Sequence, residues 1–218
     1  MSQENAKTVE VYKKTAHMYL ENSDAHDQMN PEKAARKQQK LINLIAKSFS
    51  EQPKGAKIFE IGSGSGANAE IMQGMGFDVT ASDTAEAFIN ATKEKCAKVI
   101  TFDVLQNEFP EKYNGVFCWR VFVHFTKEDA FKVISKVYEA LEDGGVFIFN
   151  AINRETTDVD NQWVDFQNEY RMGVERFYSY FTEADMKDII AKTPFQIVDF
   201  HKEGGDLGNK WLVFVLKK

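Results

Sequence analysis

The stretch Lys57-Ile58-Phe59-Glu60-Ile61-Gly62-Ser63-Gly64-Ser65-Gly66-Ala67-Asn68 constrains this chain more than any other. Ile58, Phe59 and Ile61 read as a buried strand. Three glycines at alternate positions follow at once, and a helical pattern begins behind them. Bare Cα atoms permit positive φ and let a ligand approach the backbone. The following helix aims its unpaired N–H groups into the same space. In open α/β sheets ligands sit in that crevice, beyond the carboxyl ends of the strands.

Carboxylates narrow the choice of ligand. The next strand, Phe77 to Ser82, ends at Asp83, and a third, Val99 to Phe102, ends at Asp103. An acidic side chain at the second strand tip, about 20 residues past the glycines, suits a ribose diol. Dinucleotide enzymes share that feature, and Gly62 to Ala67 satisfies their relaxed glycine pattern. Glu60 differs. A carboxylate beside the bend repels a pyrophosphate and favours an ammonium or a sulfonium. Asp103 is placed to accept a hydrogen bond from an adenine amino group.

The rest of the chain repeats strand and helix. Strand four is Gly115 to Arg120 and strand five is Val146 to Asn150, with a helix from a Thr126–Asp129 capping box to Leu141 between them. A second capping box, Thr182–Asp185, opens a helix to Lys192. Two final strands, Phe195 to Phe200 and Trp211 to Leu216, are joined by ten polar residues. That linkage leaves no room for a crossover helix, so they pair antiparallel. The expected fold is an α/β, Rossmann-like, doubly wound, mostly parallel seven-stranded sheet with an antiparallel C-terminal strand pair.

Glu60-Ile61-Gly62-Ser63-Gly64-Ser65-Gly66, Asp83 and Asp103 together resemble the cofactor site of class I S-adenosylmethionine-dependent methyltransferases of the small-molecule type. The resemblance spans Ile58 to Asn150 in its motifs and continues more loosely to Lys218. It implies S-adenosyl-L-methionine as cofactor, with Gly62, Ser63 and Gly64 along the methionine part and Glu60 near its amino group. It implies Asp83 on the ribose, Asp103 on the adenine and the Val104 backbone beside it, with Asn68 and Thr84 counted in the same set. The resembled family often closes a preceding segment over cofactor and substrate, commonly with a tyrosine, which makes Tyr12 and Tyr19 the lid candidates. Arg120 would bind the methionine carboxylate or a substrate anion, or would offer only its carbonyl. His124 would serve as a base for an alcohol acceptor, or would fix its turn by a hydrogen bond.

Residues 1–50 are accordingly expected to form a helical lid and the first core helix, and residues 51–218 the methyltransferase core. Within it, residues 151–181 are too aromatic for a linker and are expected to cap the substrate pocket as a hairpin turning at Met172-Gly173. Trp163, Tyr170, Arg171 and Tyr178 join His124 as pocket candidates. The basic run Lys33, Arg36, Lys37 and Lys40 is expected on a solvent face, with an anion-binding stripe as its alternative.

The formal net charge of −6 is a poor basis for nucleic-acid binding and points to a small-molecule acceptor. The four histidines lack metal-ligand spacing. Cys96 and Cys118 read as buried thiols. No run reaches the roughly 20 apolar residues of a membrane helix. The expectation is a soluble, cytoplasmic monomer or homodimer with no membrane partner. It moves a methyl group to a nitrogen or oxygen by in-line displacement. The rivals are an NAD(P)-dependent oxidoreductase and a non-catalytic S-adenosylmethionine-binding module.

Overall fold

A computed structural model describes residues 1–29, 31–156, 159–165, 174–204 and 210–218. Tyr170, Arg171 and the Met172-Gly173 turn lie outside the described residues.

Four parallel strands start the sheet: β1 (Lys57–Ile61), β2 (Asp78–Asp83), β3 (Lys98–Thr101) and β4 (Tyr113–Cys118). β5 (Leu141–Asn153) continues the parallel set beside β4. It begins at Leu141, five residues earlier than the apolar run suggests, with a register shift at the Glu142–Gly145 corner. β6 (Asn161–Asp165) and β7 (Glu175–Phe181) pair antiparallel, as do β8 (Gln196–Gly204) and β9 (Lys210–Lys217). β9 lies between β5 and β8 and runs against β5. The expected seven strands therefore stand in the order β3-β2-β1-β4-β5-β9-β8.

The hairpin β6–β7 adds two strands at a defined place. β4 stops at Cys118, opposite Phe149, and β5 runs on to Asn153. β7 takes the edge that β4 vacates, pairing Ile152 with Tyr180 and Asn153 with Phe181. The extra strands thus stand at the carboxyl end of the sheet, beside the glycine bend.

Adjacent residues on the central strands are apolar because both faces are covered. Phe59, Val116, Phe147 and Phe149 face one layer with Val133, Ile134 and Val137 of α5 (Lys127–Ala140) and Met186, Ile189 and Ile190 of α6 (Glu183–Ile190). Ile58, Phe117 and Ile148 face the other, with Ala69 and Met72 of α3 (Ala67–Gly74) and with Ile45 of α2 (Pro31–Ser48). Phe49, just past α2, fills a notch in β4. A Cβ on Gly115 would fall 2.5 Å from its ring. α1 (Gln3–Met29) packs on α4 (Glu86–Lys93) through Ala16, Tyr12 and Tyr19 around Phe88 and Ala85.

Both capping residues take their expected places, with one difference. Thr182 and Asp185 form the full reciprocal box. Thr126 accepts the Asp129 N–H, but the Asp129 carboxylate turns to the chain start and accepts from the Ser2 N–H at 3.1 Å.

Candidate active site

The site begins where β1 breaks. Gly62, Gly64 and Gly66 have φ of 73°, 53° and 77°. At Gly62 a Cβ would fall 2.5 Å from a Val121 methyl, so the bend is pressed against the segment leaving β4. Side chains from β2 and α4 hold it from the other side. The Gly64 N–H donates to Asp83 Oδ2 at 3.0 Å, and the Thr84 and Ala85 N–H groups donate to Oδ1 at 2.7 and 3.1 Å. Oδ2 keeps lone-pair capacity toward the cavity. Burial raises the Asp83 carboxyl, and the three backbone donors oppose that shift. Ser63 Oγ and Thr92 Oγ1 bond each other at 3.0 Å.

Glu60 lies behind this wall, not on it, and is 1 % exposed. Neither carboxylate oxygen has a hydrogen-bond partner. Burial pushes its pKa up to about 8; the Asn68 side chain opposes this from outside regular hydrogen-bond geometry, and the Asp83 charge adds to it. An orphaned carboxyl beneath a bare bend is costly to ionise unless a cation arrives.

Asp103 serves its own turn. Its Oδ1 accepts from the Leu105 N–H at 2.9 Å and its Oδ2 from Gln106 Nε2 at 2.7 Å. It is half-buried and still reaches the wall with Val104.

Over the bend, three elements meet at His124, in the 3₁₀ turn Phe122–His124 after β4. Its Nδ1 lies 2.7 Å from the Phe177 carbonyl, which can only accept, so Nδ1 carries the proton. Nε2 is then the acceptor, and the Tyr12 hydroxyl donates to it at 2.9 Å. The Tyr12 oxygen in turn accepts from Arg176 Nη1 at 2.8 Å. One direction of donation runs from β7 through α1 into the turn. Burial drives His124 down to about 4 and Tyr12 up to about 12, so both are neutral at pH 7. The expectation of a base at His124 meets two obstacles here: its lone pair is taken and it resists protonation.

Tyr12, Tyr19, Gly62, Ser63, Gly64, Asn68, Asp83, Thr84, Asp103, Val104, Arg120, His124 and Tyr178 all border one cavity of about 1410 Å³. Trp163 does not: its ring packs on Phe177, 5.8 Å between centroids, beneath the Lys7 ammonium. It pairs with Phe177 across the hairpin, on the face opposite to Arg176 and Tyr178, which alternate toward the cavity. The cavity also takes Phe88 and Arg176, and residues that the motifs did not name, including Thr8, Trp119 and Trp211. Asn5, Thr8 and Tyr12 recur at helical spacing on the inner face of α1, a polar stripe legible in retrospect. Trp211 is brought in only by the sheet. The basic face of α2 is exposed, as expected, yet Lys33, Lys37 and Lys40 also border the cavity.

No cluster of metal-ligating side chains occurs among the described residues, and none of their helices is long and apolar enough to cross a membrane. The residues present fit the cofactor that the motifs imply: an orphaned carboxyl for a cation, a bend open at the backbone, and a carboxylate at the second strand tip. Such a fold and site define a class I S-adenosylmethionine-dependent methyltransferase. Residues 32–199 match the family model described as "Methyltransferase domain", and the chain belongs to that family.

Solved structures share the fold at low identity. An S-adenosylmethionine-dependent methyltransferase from Clostridium acetobutylicum superposes with a TM-score of 0.71 at 15% identity, covering 91% of this chain and 98% of that one. Magnesium protoporphyrin IX methyltransferase from Synechocystis, solved with S-adenosylmethionine bound, gives 0.64 at 17% identity, covering 84% and 79%. The N-methyltransferase NodS from Bradyrhizobium japonicum, solved with S-adenosylhomocysteine, gives 0.62 at 15% identity, covering 84% and 86%. No curated protein sequence gives a significant match.

Proposed function

We propose that this methyltransferase moves a methyl group to a nitrogen or oxygen of a small molecule. The observation that carries the reading is the buried, partnerless Glu60 carboxyl behind the bend. The bend itself is tied to the Asp83 strand tip. When bound, S-adenosylmethionine supplies an electrophilic methyl on a sulfonium. In this reading Gly62, Ser63 and Gly64 border the methionine part and Glu60 balances its ammonium. Asp83 and Thr84 take the ribose, Asp103 and Val104 the adenine. Tyr12, Tyr19 and Phe88 cover the bend from α1 and α4 and exclude water.

The chain's share of catalysis is alignment, holding nucleophile, methyl carbon and sulfur in line. His124 contributes by position: it fixes α1 and β7 against the turn after β4. A nitrogen acceptor that arrives neutral needs no base. The hairpin β6–β7 acts as the cap, presenting Tyr178 and Arg176 to the cavity. The size of the cavity and its cover by α1 favour a small acceptor over a macromolecule.

Calorimetric titration with S-adenosylhomocysteine, set against NADH, tests the cofactor assignment. Binding of the first and not the second is expected, with Asp83→Ala weakening it at least tenfold. Undiminished affinity in that variant sinks the assignment. Tight binding without methyl transfer to any of a broad panel of amines and alcohols identifies a non-catalytic module instead.

A further inference from the structure

The acceptor end of the cavity has a chemistry of its own. Seven lysines and arginines border the cavity against four aspartates and glutamates, although the whole chain has 27 against 33. Two of those acids, Asp83 and Asp103, stand at the nucleotide end. Asp199 offsets Lys47 at 2.7 Å, and Lys202 is offset by Glu155 at 2.7 Å. Arg120 and the buried Arg176 thus place two guanidinium groups on the cavity wall beyond the bend.

Arg120 is the exposed one of these two. Among the described residues it alone, apart from glycines, has positive φ, at 62°. A glycine would take this conformation freely, whereas an L side chain is strained in it. The backbone is held there by Asn150, 1 % exposed, whose Oδ1 accepts the Arg120 N–H at 2.6 Å. The guanidinium stands on the cavity wall, 5.7 Å from the Trp211 ring centroid. Among the described residues no carboxylate pairs with it. A planar fork of donors, backed by an indole face and left open to the cavity, is built for a planar or tetrahedral oxyanion.

We propose that the methyl acceptor is an anion bearing a carboxylate or a phosphate, and that Arg120 binds that group. This rests on the methyl-transfer reading for the word acceptor, but the anion site stands on the geometry alone. The acceptor's reacting nitrogen or oxygen lies at the opposite end of the molecule, toward the bend.

The test uses Arg120→Gly, which removes the side chain and relieves the backbone. The full chain, with and without saturating S-adenosylhomocysteine, is titrated with benzoate, phenyl phosphate and neutral benzamide by calorimetry and ligand-observed NMR. Three results are expected together. The intact chain takes an anion in preference to benzamide. The variant weakens that anion about tenfold or more. It also melts no lower than the parent and keeps its affinity for S-adenosylhomocysteine within twofold. Preference for phenyl phosphate or for benzoate decides between the two sources of the oxyanion.

Unchanged anion affinity in the variant, or benzamide bound as well as the anions, overturns the proposal. Loss of S-adenosylhomocysteine affinity in the variant overturns it too, because Arg120 then serves the cofactor's own carboxylate. A lower melting point assigns the residue a structural role and also counts against it. A parent chain that takes the anions but not S-adenosylhomocysteine overturns methyl transfer while leaving the anion site standing.

Discussion

Two buried groups at the site titrate in opposite senses. Glu60 has a folded value near 8 against an ordinary 4.5. A raised carboxyl contributes stability that is complete below 4.5 and lost as pH rises through 8. His124 has a folded value near 4 against an ordinary 6.5. Its contribution is complete above 6.5 and lost as pH falls through 4. The slopes oppose each other between 4.5 and 6.5, so the cofactor-free protein should show a plateau there. Urea denaturation should then find a loss of about 2 kcal/mol between pH 6.5 and 8. Glu60→Gln should flatten that alkaline limb; an unchanged limb would show that Glu60 is not its source. Tyr12→Phe deletes the donor to His124 Nε2 and the acceptor for Arg176 Nη1. Denaturation at pH 7 should report a cost of about 1–3 kcal/mol. At this scale the sequence was most legible where chemistry is local. Glu60, the glycines and Asp83 lie within one motif and its next strand. The His124 network was not legible, because its partners stand 112 and 53 residues away. A histidine near neutrality in isolation reads either as a base or as a hydrogen-bonded fixture of its turn until its lone pair is seen to be taken.

Elements dock through complementary shape as well as apolar stripes. The Phe49 ring lies in the space left by the missing side chain of Gly115, with the Ile58 side chain 2.7 Å from where a Cβ would stand. Gly115→Ala should therefore overpack β4 against the residues behind α2, costing about 1–3 kcal/mol in a chemical melt. A cost near zero would mean that Phe49 moves aside freely. The aromatic density of residues 151–181 suggested a hairpin over the pocket; that β7 pairs with β5 was not readable there. Trp163, Phe177 and Tyr178 look equivalent in a list of aromatics. Only the strand register separates them: Arg176 and Tyr178 alternate onto the cavity face, and Trp163 pairs with Phe177 on the other. The same limit applies to α2, whose lysines follow the pattern of a wet face and yet border the cavity. Periodicity gives a helix its faces without saying what stands opposite each of them.

The whole molecule is a nine-stranded sheet, seven core strands and the added β6–β7 pair, with its binding crevice at one end; the seven-stranded plan was readable from the alternation of strand and helix. A ligand confined to the folded state stabilises all of it at once. S-adenosylhomocysteine at 100 times its dissociation constant should add about 2.7 kcal/mol. For a domain of this length that is a rise in melting temperature of roughly 5–11 °C. A scan in which it gives no rise, at a concentration that calorimetry shows to be saturating, would mean that it binds the unfolded chain as well. The position of β9 carries a consequence for how the protein is made. β9 is the latest of the described strands in the chain, yet it lies inside the sheet, hydrogen-bonded to β5 on one side and β8 on the other. During synthesis β1 to β5 emerge first and must wait, with one edge of β5 unpaired from Val146 to Ile152. A ribosome stalled before residue 210 holds a nascent chain with an open, apolar edge, which is what chaperones recognise and what aggregates when they do not.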